Sequence, residues 1–482
     1  MLKRLGKDIA VYGTADFLFR FVGFAVFPIY AHLFTVEEFG IYALVSTTVG
    51  IIALLANLGL NNATQRFYWD PETQRAMQPE IVSSGLTTLV LWSCVVTSVA
   101  AVVLYPAREF IGSRYGISWP IATIALATIV PEHILQFCLD TLRLHFTPWK
   151  FACVSLLKNL LGVAAGLALI LGFGLGLEGL FLGGLIGAIT AVPVALVLVR
   201  RDLTVSISVE TARRLVNFGY PFIFVGLAYW LFGTADRWML AELSNSTQVG
   251  LYAIAYKFGT IVLFLNAAFG QAWSPIAQKI RRDDTQYRAT YARIFSVWFF
   301  FLVIAGSTVA LFGPEMLHVL TPPEYWAAAS VLGILTMGIV LSGTTQITAV
   351  GISIERRTRL FAYAAWTTAL VNVVLNLVLI PQWGAAGAAV ATFLSYALLT
   401  VLYLSWSQRL HPIPLEKARL IYSTALVVSI GTISAGLGNL EMSLATVVAK
   451  TSILALMVAG GVVFGIVDLA AIRGALVQRL RT

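Results

Sequence analysis

Three basic side chains stand deep inside apolar stretches of this sequence: Arg20, Lys158 and Lys257. Arg20 lies about eleven residues, or roughly 16 Å of α-helix, into its stretch, and the two lysines lie at similar depth. Asp16 is the one acid predicted near any of them, because it lies on the helix face of Arg20, four residues earlier. Uncompensated ammonium and guanidinium groups are suited to bind phosphate. We therefore interpret the three cations as anion contacts and Asp16 as the group that orients Arg20, with a structural Asp16–Arg20 ion pair as the alternative.

The composition shows which elements must hold these residues. Hydrophobic residues make up 59% of the 482 residues and charged residues only 11%, whereas a soluble domain carries about 25% charged residues. A chain of this length supplies many spans of about 20 apolar residues. The sequence therefore predicts an all-α integral membrane protein. The first apolar run is too long and too interrupted by charge for a signal peptide, so we expect a retained first span.

Fourteen apolar runs are predicted to be transmembrane helices. They lie near 9–33, 40–61, 81–105, 118–141, 149–171, 177–199, 215–236, 248–272, 290–312, 325–350, 359–380, 384–406, 417–437 and 443–468. The connections between them are too short to hold a soluble catalytic domain.

Lysine and arginine predict the orientation. With a cytoplasmic N-terminus, 25 of the 32 Lys and Arg residues fall in cytoplasmic segments, and only Arg108 and Arg114 fall in outside loops. This distribution satisfies the positive-inside rule, and an even number of spans returns the C-terminus to the cytoplasm. The net charge of +9 is then a matter of topology, and no nucleic-acid partner is predicted.

The sequence also contains an internal repeat. FGIYAL at 39–44 recurs as VGLYAI at 249–254, an offset of 210 residues, and GLEGLFLG at 176–183 is echoed by GAAGAAVA at 384–391, an offset of 208. We predict six-helix bundles over residues 1–205 and 206–410, and two appended spans over 411–482. An even number of spans per copy predicts parallel repeats with a cavity between the halves.

Two segments resemble signatures of bacterial polysaccharide exporters: FVGFAVFPIYAHLFTVEEFGIYALVSTTVGIIALLANLGLNNATQRFY at 21–68, and GYPFIFVGLAYWLFGTADRWMLAELSNSTQVGLYAIAYKFGTI at 219–261. The resemblance covers essentially the whole chain, including WGAAGAAVAT at 383–392. It is to the Wzx-type flippases of the multidrug/oligosaccharidyl-lipid/polysaccharide (MOP) exporter superfamily. It implies two six-helix bundles with two extra C-terminal helices, and a substrate that carries an oligosaccharide on undecaprenyl pyrophosphate. The pyrophosphate would be the anion that Arg20, Lys158 and Lys257 bind.

Further polar residues on the predicted spans are weaker candidates. Amide side chains are interpreted as sugar contacts, with interhelical hydrogen bonds as the alternative; they are Asn57, Asn61, Asn266 and Gln271. Tyr256 is interpreted as stacking on a sugar ring, with simple packing as the alternative. Glu132, with His133 and Gln136, is either a proton relay or part of a kink at Pro131. Lys450, on an appended span, is expected to face lipid and extend its ammonium to the interface.

Three functions fit these observations to different degrees. A flippase for lipid-linked oligosaccharide, working by alternating access with a cationic central cavity, explains the repeats, the cations and the signatures. A multidrug antiporter of the same superfamily would need an excess of buried carboxylates. A membrane glycosyltransferase or polymerase would need a large outer loop or an acidic metal site, and the sequence offers neither.

We therefore predict a transporter, not an enzyme, with no cofactor and no metal. The expected partners are the lipid-linked oligosaccharide, membrane lipids, and a polysaccharide polymerase and glycosyltransferases. The expected location is the bacterial inner membrane, with both termini in the cytoplasm.

Overall fold

A computed structural model describes residues 23–70, 74–145, 147–437 and 443–467. Within these ranges every regular element is a helix. Eleven helical segments of the described ranges are long and apolar enough to cross a membrane, so the chain is a multi-pass membrane protein. The predicted all-α membrane fold is confirmed, while the total of fourteen spans stays a prediction.

The chain divides into two compact units between Ala241 and Glu242. The first unit contains both short and long helices. They are α1 (Phe27–Leu33), α2 (Val36–Asn57), α3 (Leu60–Tyr68), α4 (Gln78–Leu104), α5 (Arg108–Tyr115), α6 (Trp119–Ala127), α7 (Ile129–Leu144), α8 (Pro148–Phe173), α9 (Gly176–Val199), α10 (Val209–Gly219) and α11 (Pro221–Leu243).

The second unit contains the longest helices. They are α12 (Ser246–Asp283), α13 (Tyr287–Leu320), α14 (Ala329–Gly343), α15 (Thr345–Thr348), α16 (Val350–Ile354), α17 (Arg359–Leu410), α18 (Lys417–Leu437) and α19 (Leu444–Val463). Helix α17 has 52 residues and a non-helical Gly384 at φ 55°, ψ −130°. At 1.5 Å per residue it is about 78 Å long, enough for two spans that meet at this glycine.

Helices α8 and α9 approach each other so closely that their contact line requires glycine. A Cβ added at Gly183 would lie 2.5 Å from the Gly166 Cα, and one added at Gly187 would lie 2.5 Å from the Lys158 carbonyl oxygen. Small residues at four-residue spacing let two helix backbones meet in this way. The contact packs the backbone of Lys158 directly against α9.

A left-handed break separates α2 from α3. Leu58 and Gly59 have φ of 52° and 65°, a region that glycine adopts without strain. A Cβ on Gly59 would lie 2.3 Å from the Gly219 carbonyl oxygen, so the end of α10 packs directly on the break. Asn57 and Asn61 stand on either side of it, and the Asn57 Nδ2 donates to the Asn61 Oδ1 at 3.0 Å.

Each unit has a histidine–carboxylate pair that joins the chain just after two of its helices end. In the first unit, the His145 Nε2 lies 2.8 Å from the Asp202 Oδ1. In the second unit, the His411 Nδ1 lies 3.3 Å from the Glu355 Oε1. We refer to these two pairs as the end ties.

Helix α19 is bound to α13 by a buried ion pair. The Lys450 Nζ donates to the Glu315 Oε1 at 2.6 Å, and the lysine side chain is only 3% exposed. The prediction that Lys450 faces lipid is therefore wrong, because an acid on a neighbouring helix compensates its charge inside the unit. At the other end of α19, the Arg293 guanidinium donates to the backbone carbonyls of Gly465 and Ile466.

Candidate functional site

The predicted cations have different outcomes. Arg20 and Asp16 lie outside the described residues. Lys257 lies on α12, half-buried, and none of the ion pairs found among the described residues involves it. A charge at this depth costs at least about 2.5–3.5 kcal/mol on insertion scales, so Lys257 requires water or an anionic ligand.

Lys158 is not uncompensated. Its Nζ lies 2.7 Å from the Glu132 carboxylate, on α7. The prediction that Lys158 has no acid nearby is wrong, because the acid that compensates it lies on a different helix. The acid is 26 residues away in sequence and reaches the lysine because α7 packs beside α8.

Glu132 belongs to a row of polar residues along α7. Glu132, Gln136, Asp140 and Arg143 are spaced by three or four residues and therefore share one side of the helix. We call this row the polar face of α7. Over Trp119–Leu144, all of it described, no large hydrophobic side chain is exposed. A helix against lipid would expose such side chains, so the open side of α7 is polar.

Asp140 is the centre of the polar face. Its carboxylate is buried and accepts hydrogen bonds from the Gln136 Nε2 at 3.1 Å, from the Arg143 Nη1 at 3.0 Å and from the Asn61 Nδ2 at 2.7 Å. Sequence reasoning missed this residue. The local signal was present, because Gln136, Asp140 and Arg143 have helical i, i+4 and i+7 spacing.

The structure places the predicted sugar contacts at different positions. Asn57 and Asn61 join the hydrogen bonds around Asp140, which agrees with the alternative of hydrogen bonds between helices. Asn61 contacts Asp140 directly, and Asn57 contacts only Asn61 in this network. Tyr256 lies beside Lys257 on α12, whereas the side chain of Gln271 lies outside what the structure describes.

Asn266 stands about half a turn around α12 from Lys257, since nine residues rotate a helix by about 900°. It contacts Gly343 on α14, and its buried Oδ1 has no hydrogen-bond partner in the described ranges of the chain. The structure therefore does not bring Asn266 to the side of α12 that carries Lys257.

The charges of the polar face cancel when Lys158 of α8 is counted with them. Glu132 pairs with Lys158, and Asp140 pairs with Arg143, so two acids and two bases leave no net charge. Carboxylate, amide and guanidinium groups offer both donors and acceptors, which is the chemistry that recognises hydroxyl groups. The arrangement is suited to a polar, uncharged ligand part such as a sugar, inside a membrane protein.

Comparison with known proteins identifies the family. Residues 5–281 match the family model described as "Polysaccharide biosynthesis protein", more than half of the chain, and the chain belongs to this family. A curated relative, the probable low-salt glycan biosynthesis flippase Agl15 of Haloferax volcanii, is 23% identical over 373 residues, which cover 76% of each chain.

Solved structures show the same fold. The lipid II flippase MurJ, in an inward closed conformation, superposes with a TM-score of 0.72 at 13% identity, covering 94% of this chain and 99% of its own. An inward-facing multidrug resistance MATE family transporter of the MOP superfamily gives 0.64 at 14% identity, covering 87% and 95%. The predicted MOP-type fold and the assignment to polysaccharide exporters are confirmed.

Proposed function

We propose that this protein is a flippase that moves oligosaccharide repeat units, linked to undecaprenyl pyrophosphate, from the cytoplasmic to the outer leaflet for polysaccharide biosynthesis. The family match carries the proposal, because it spans more than half of the chain and a relative over 76% of it is named a glycan flippase. The fold supports a transporter, since both structural neighbours named above are transporters or flippases.

The polar face of α7 fits the physical problem of this reaction. An oligosaccharide loses its hydration when it enters a hydrocarbon layer about 30 Å thick, and each unsatisfied hydroxyl is costly. Glu132, Gln136 and Asp140 supply acceptors and donors within a transmembrane helix. Alternating access lets the polar head use such groups while the lipid tail stays in the bilayer.

The pyrophosphate is proposed to bind Lys257, together with Arg20 and Lys158, while Asp16 orients Arg20. The support for Lys257 is that its ammonium has no acidic partner among the described side chains. Lys158 contributes only when it leaves Glu132. The sugars are proposed to contact Asn57, Asn61, Tyr256 and Gln271.

The test is transport without chemistry. Purified protein in liposomes should move a fluorescent undecaprenyl-pyrophosphate oligosaccharide between leaflets while the mass of the lipid stays unchanged. Empty liposomes and liposomes with an unrelated membrane protein are the controls. A new glycosidic bond or released diphosphate would favour the polymerase, and uptake of organic cations without lipid movement would favour the antiporter.

The location and partners belong to the same proposal. We place the protein in the bacterial inner membrane with both termini in the cytoplasm, where glycosyltransferases complete the substrate. A polymerase would use the flipped product on the other side. Co-purification of the protein with these enzymes after mild crosslinking is the corresponding measurement, and a protein recovered without them would count against a complex.

A further inference from the structure

The described part of the chain contains two lysine–glutamate pairs within membrane helices, and they differ in access. The distances are nearly equal, 2.7 Å for Lys158–Glu132 and 2.6 Å for Lys450–Glu315. In the first pair the lysine and glutamate side chains are 28% and 38% exposed, and in the second 3% and 16%. A ligand can reach the first pair, whereas protein encloses the second.

The two helices of the accessible pair differ in what they expose around it. On α8, exposed large hydrophobic side chains lie about 140–160° around the helix from Lys158 (Leu160 and Leu171) and also about 60° from it (Leu161 and Phe173). On α7, Glu132 belongs to the polar face, on a helix without exposed large hydrophobic side chains. On its α7 side, the pair therefore borders polar surroundings shared with Gln136 and Asp140.

We propose that Glu132 occupies, on Lys158, the position that a phosphate oxygen of the substrate takes during transport. Phosphate accepts strong charge-assisted hydrogen bonds from ammonium and so competes with a carboxylate. The backbone of Lys158 is fixed by Gly187, so the exchange involves the side chains alone. The displaced Glu132 carboxylate then accepts hydrogen bonds from sugar hydroxyls on the same polar face. This inference rests on the proposed function.

The exchange has a kinetic consequence. If the Glu132 carboxylate is removed, nothing competes with the phosphate for the Lys158 ammonium. The phosphate then binds Lys158 more readily and leaves it more slowly. Glu132→Gln keeps the shape and the hydrogen-bonding capacity but removes the charge. It should lower the KM for the lipid-linked oligosaccharide and the kcat by about threefold to fivefold each, the size expected for a partly exposed ion pair.

Charge swaps separate binding from structure. Glu132→Lys with Lys158→Glu, and Glu315→Lys with Lys450→Glu, each restore an ion pair in reversed order. Both double variants should reach normal abundance and melting temperature. The Glu315/Lys450 swap should transport at the wild-type rate, whereas the Glu132/Lys158 swap should lose at least tenfold, because its lysine now projects from α7.

The measurements distinguish the possible failures. Wild-type transport by the Glu132/Lys158 swap would show that the pair is structural and overturn the inference. If that swap does not fold, the Glu132→Gln kinetics decide: an unchanged or raised KM overturns the inference. If the wild-type protein itself does not move the lipid-linked oligosaccharide in the same vesicles, the proposed function fails first.

Discussion

At the scale of single residues, Lys257, which has no acidic partner among the described side chains, has the clearest expected role. Lys257→Ala should lower kcat/KM for transport by about tenfold or more, the loss expected for a charge-assisted hydrogen bond, while Lys257→Arg keeps part of the rate. Lys279→Ala, at an exposed position of the same helix, is the matched control and should leave transport unchanged.

Complementation of a flippase-deficient strain, with membrane abundance measured beside it, checks this expectation. Arg20→Ala should behave like Lys257→Ala, and Asp16→Ala should have a smaller effect, since Asp16 orients rather than binds. Wild-type export by both alanine variants at Lys257 and Arg20 would contradict the proposed pyrophosphate contact.

Asp140 is expected to act mainly on stability. Asp140→Asn keeps one acceptor oxygen but removes the charge that Arg143 needs and disturbs three hydrogen bonds. We expect a loss on the order of 2 kcal/mol, seen as a melting temperature lower by a few degrees. Asp283→Asn, which breaks an exposed pair with Arg282, should change the melting temperature little. Equal shifts in the two variants would argue against a central role of Asp140.

The site could be predicted only in part. The depth of Lys257 follows from counting residues in an apolar run, and the absence of a nearby acid is visible in its own span. The contact between Asn61 and Asp140 joins residues 79 positions apart, and no local pattern encodes it. The sequence places Glu132 and Lys158 on two predicted spans, but their pairing depends on which faces α7 and α8 turn toward each other.

At the scale of helices, hydropathy predicts the spans better than their ends. The run predicted at 248–272 belongs to a helix that continues to Asp283, because polar residues extend a helix beyond the membrane without changing its backbone. The predicted boundary between 359–380 and 384–406 agrees with the break at Gly384, which has a positive φ. The sequence signals this break locally, because Pro381 and Gly384 both interrupt helices.

The glycine contact between α8 and α9 gives a test with a neighbouring control. Gly183→Ala would place a Cβ 2.5 Å from the Gly166 backbone, so the two helices must separate. Gly184 has no atom within 4 Å of such a Cβ, and alanine there should be neutral or slightly stabilising. We expect Gly183→Ala to cost about 1–3 kcal/mol or more and to lower the amount of folded protein.

The measurement is the fluorescence-detected melting temperature of both variants in detergent. Because Gly187 of the same contact line supports the Lys158 backbone, Gly183→Ala should also slow transport per folded molecule. A Gly183→Ala variant as stable as Gly184→Ala would mean that the helices do not meet along this line.

At the scale of the whole molecule, the proposed topology is directly testable. Ser244 and Asp283 are both exposed, near the two ends of α12, so a cysteine at either position is open to a reagent. In a cysteine-free background, an impermeant reagent added outside should label Ser244→Cys and not Asp283→Cys, because the arginines near Asp283 are expected in the cytoplasm. Labelling of Asp283→Cys alone would reverse the orientation, and labelling after membrane permeabilisation confirms that both sites react.

The two end ties bear on how the halves of the chain diverged. His145 and Glu355 are 210 positions apart, and Asp202 and His411 are 209 apart, close to the predicted repeat offset. Under that repeat, the same contact has survived with its imidazole and carboxylate exchanged between the two helix ends. A change at only one of the two positions would not keep the contact, because it would place two imidazoles or two carboxylates together. We therefore expect selection at these positions to act on the pair, so that relatives change the two residues together rather than keep either one fixed.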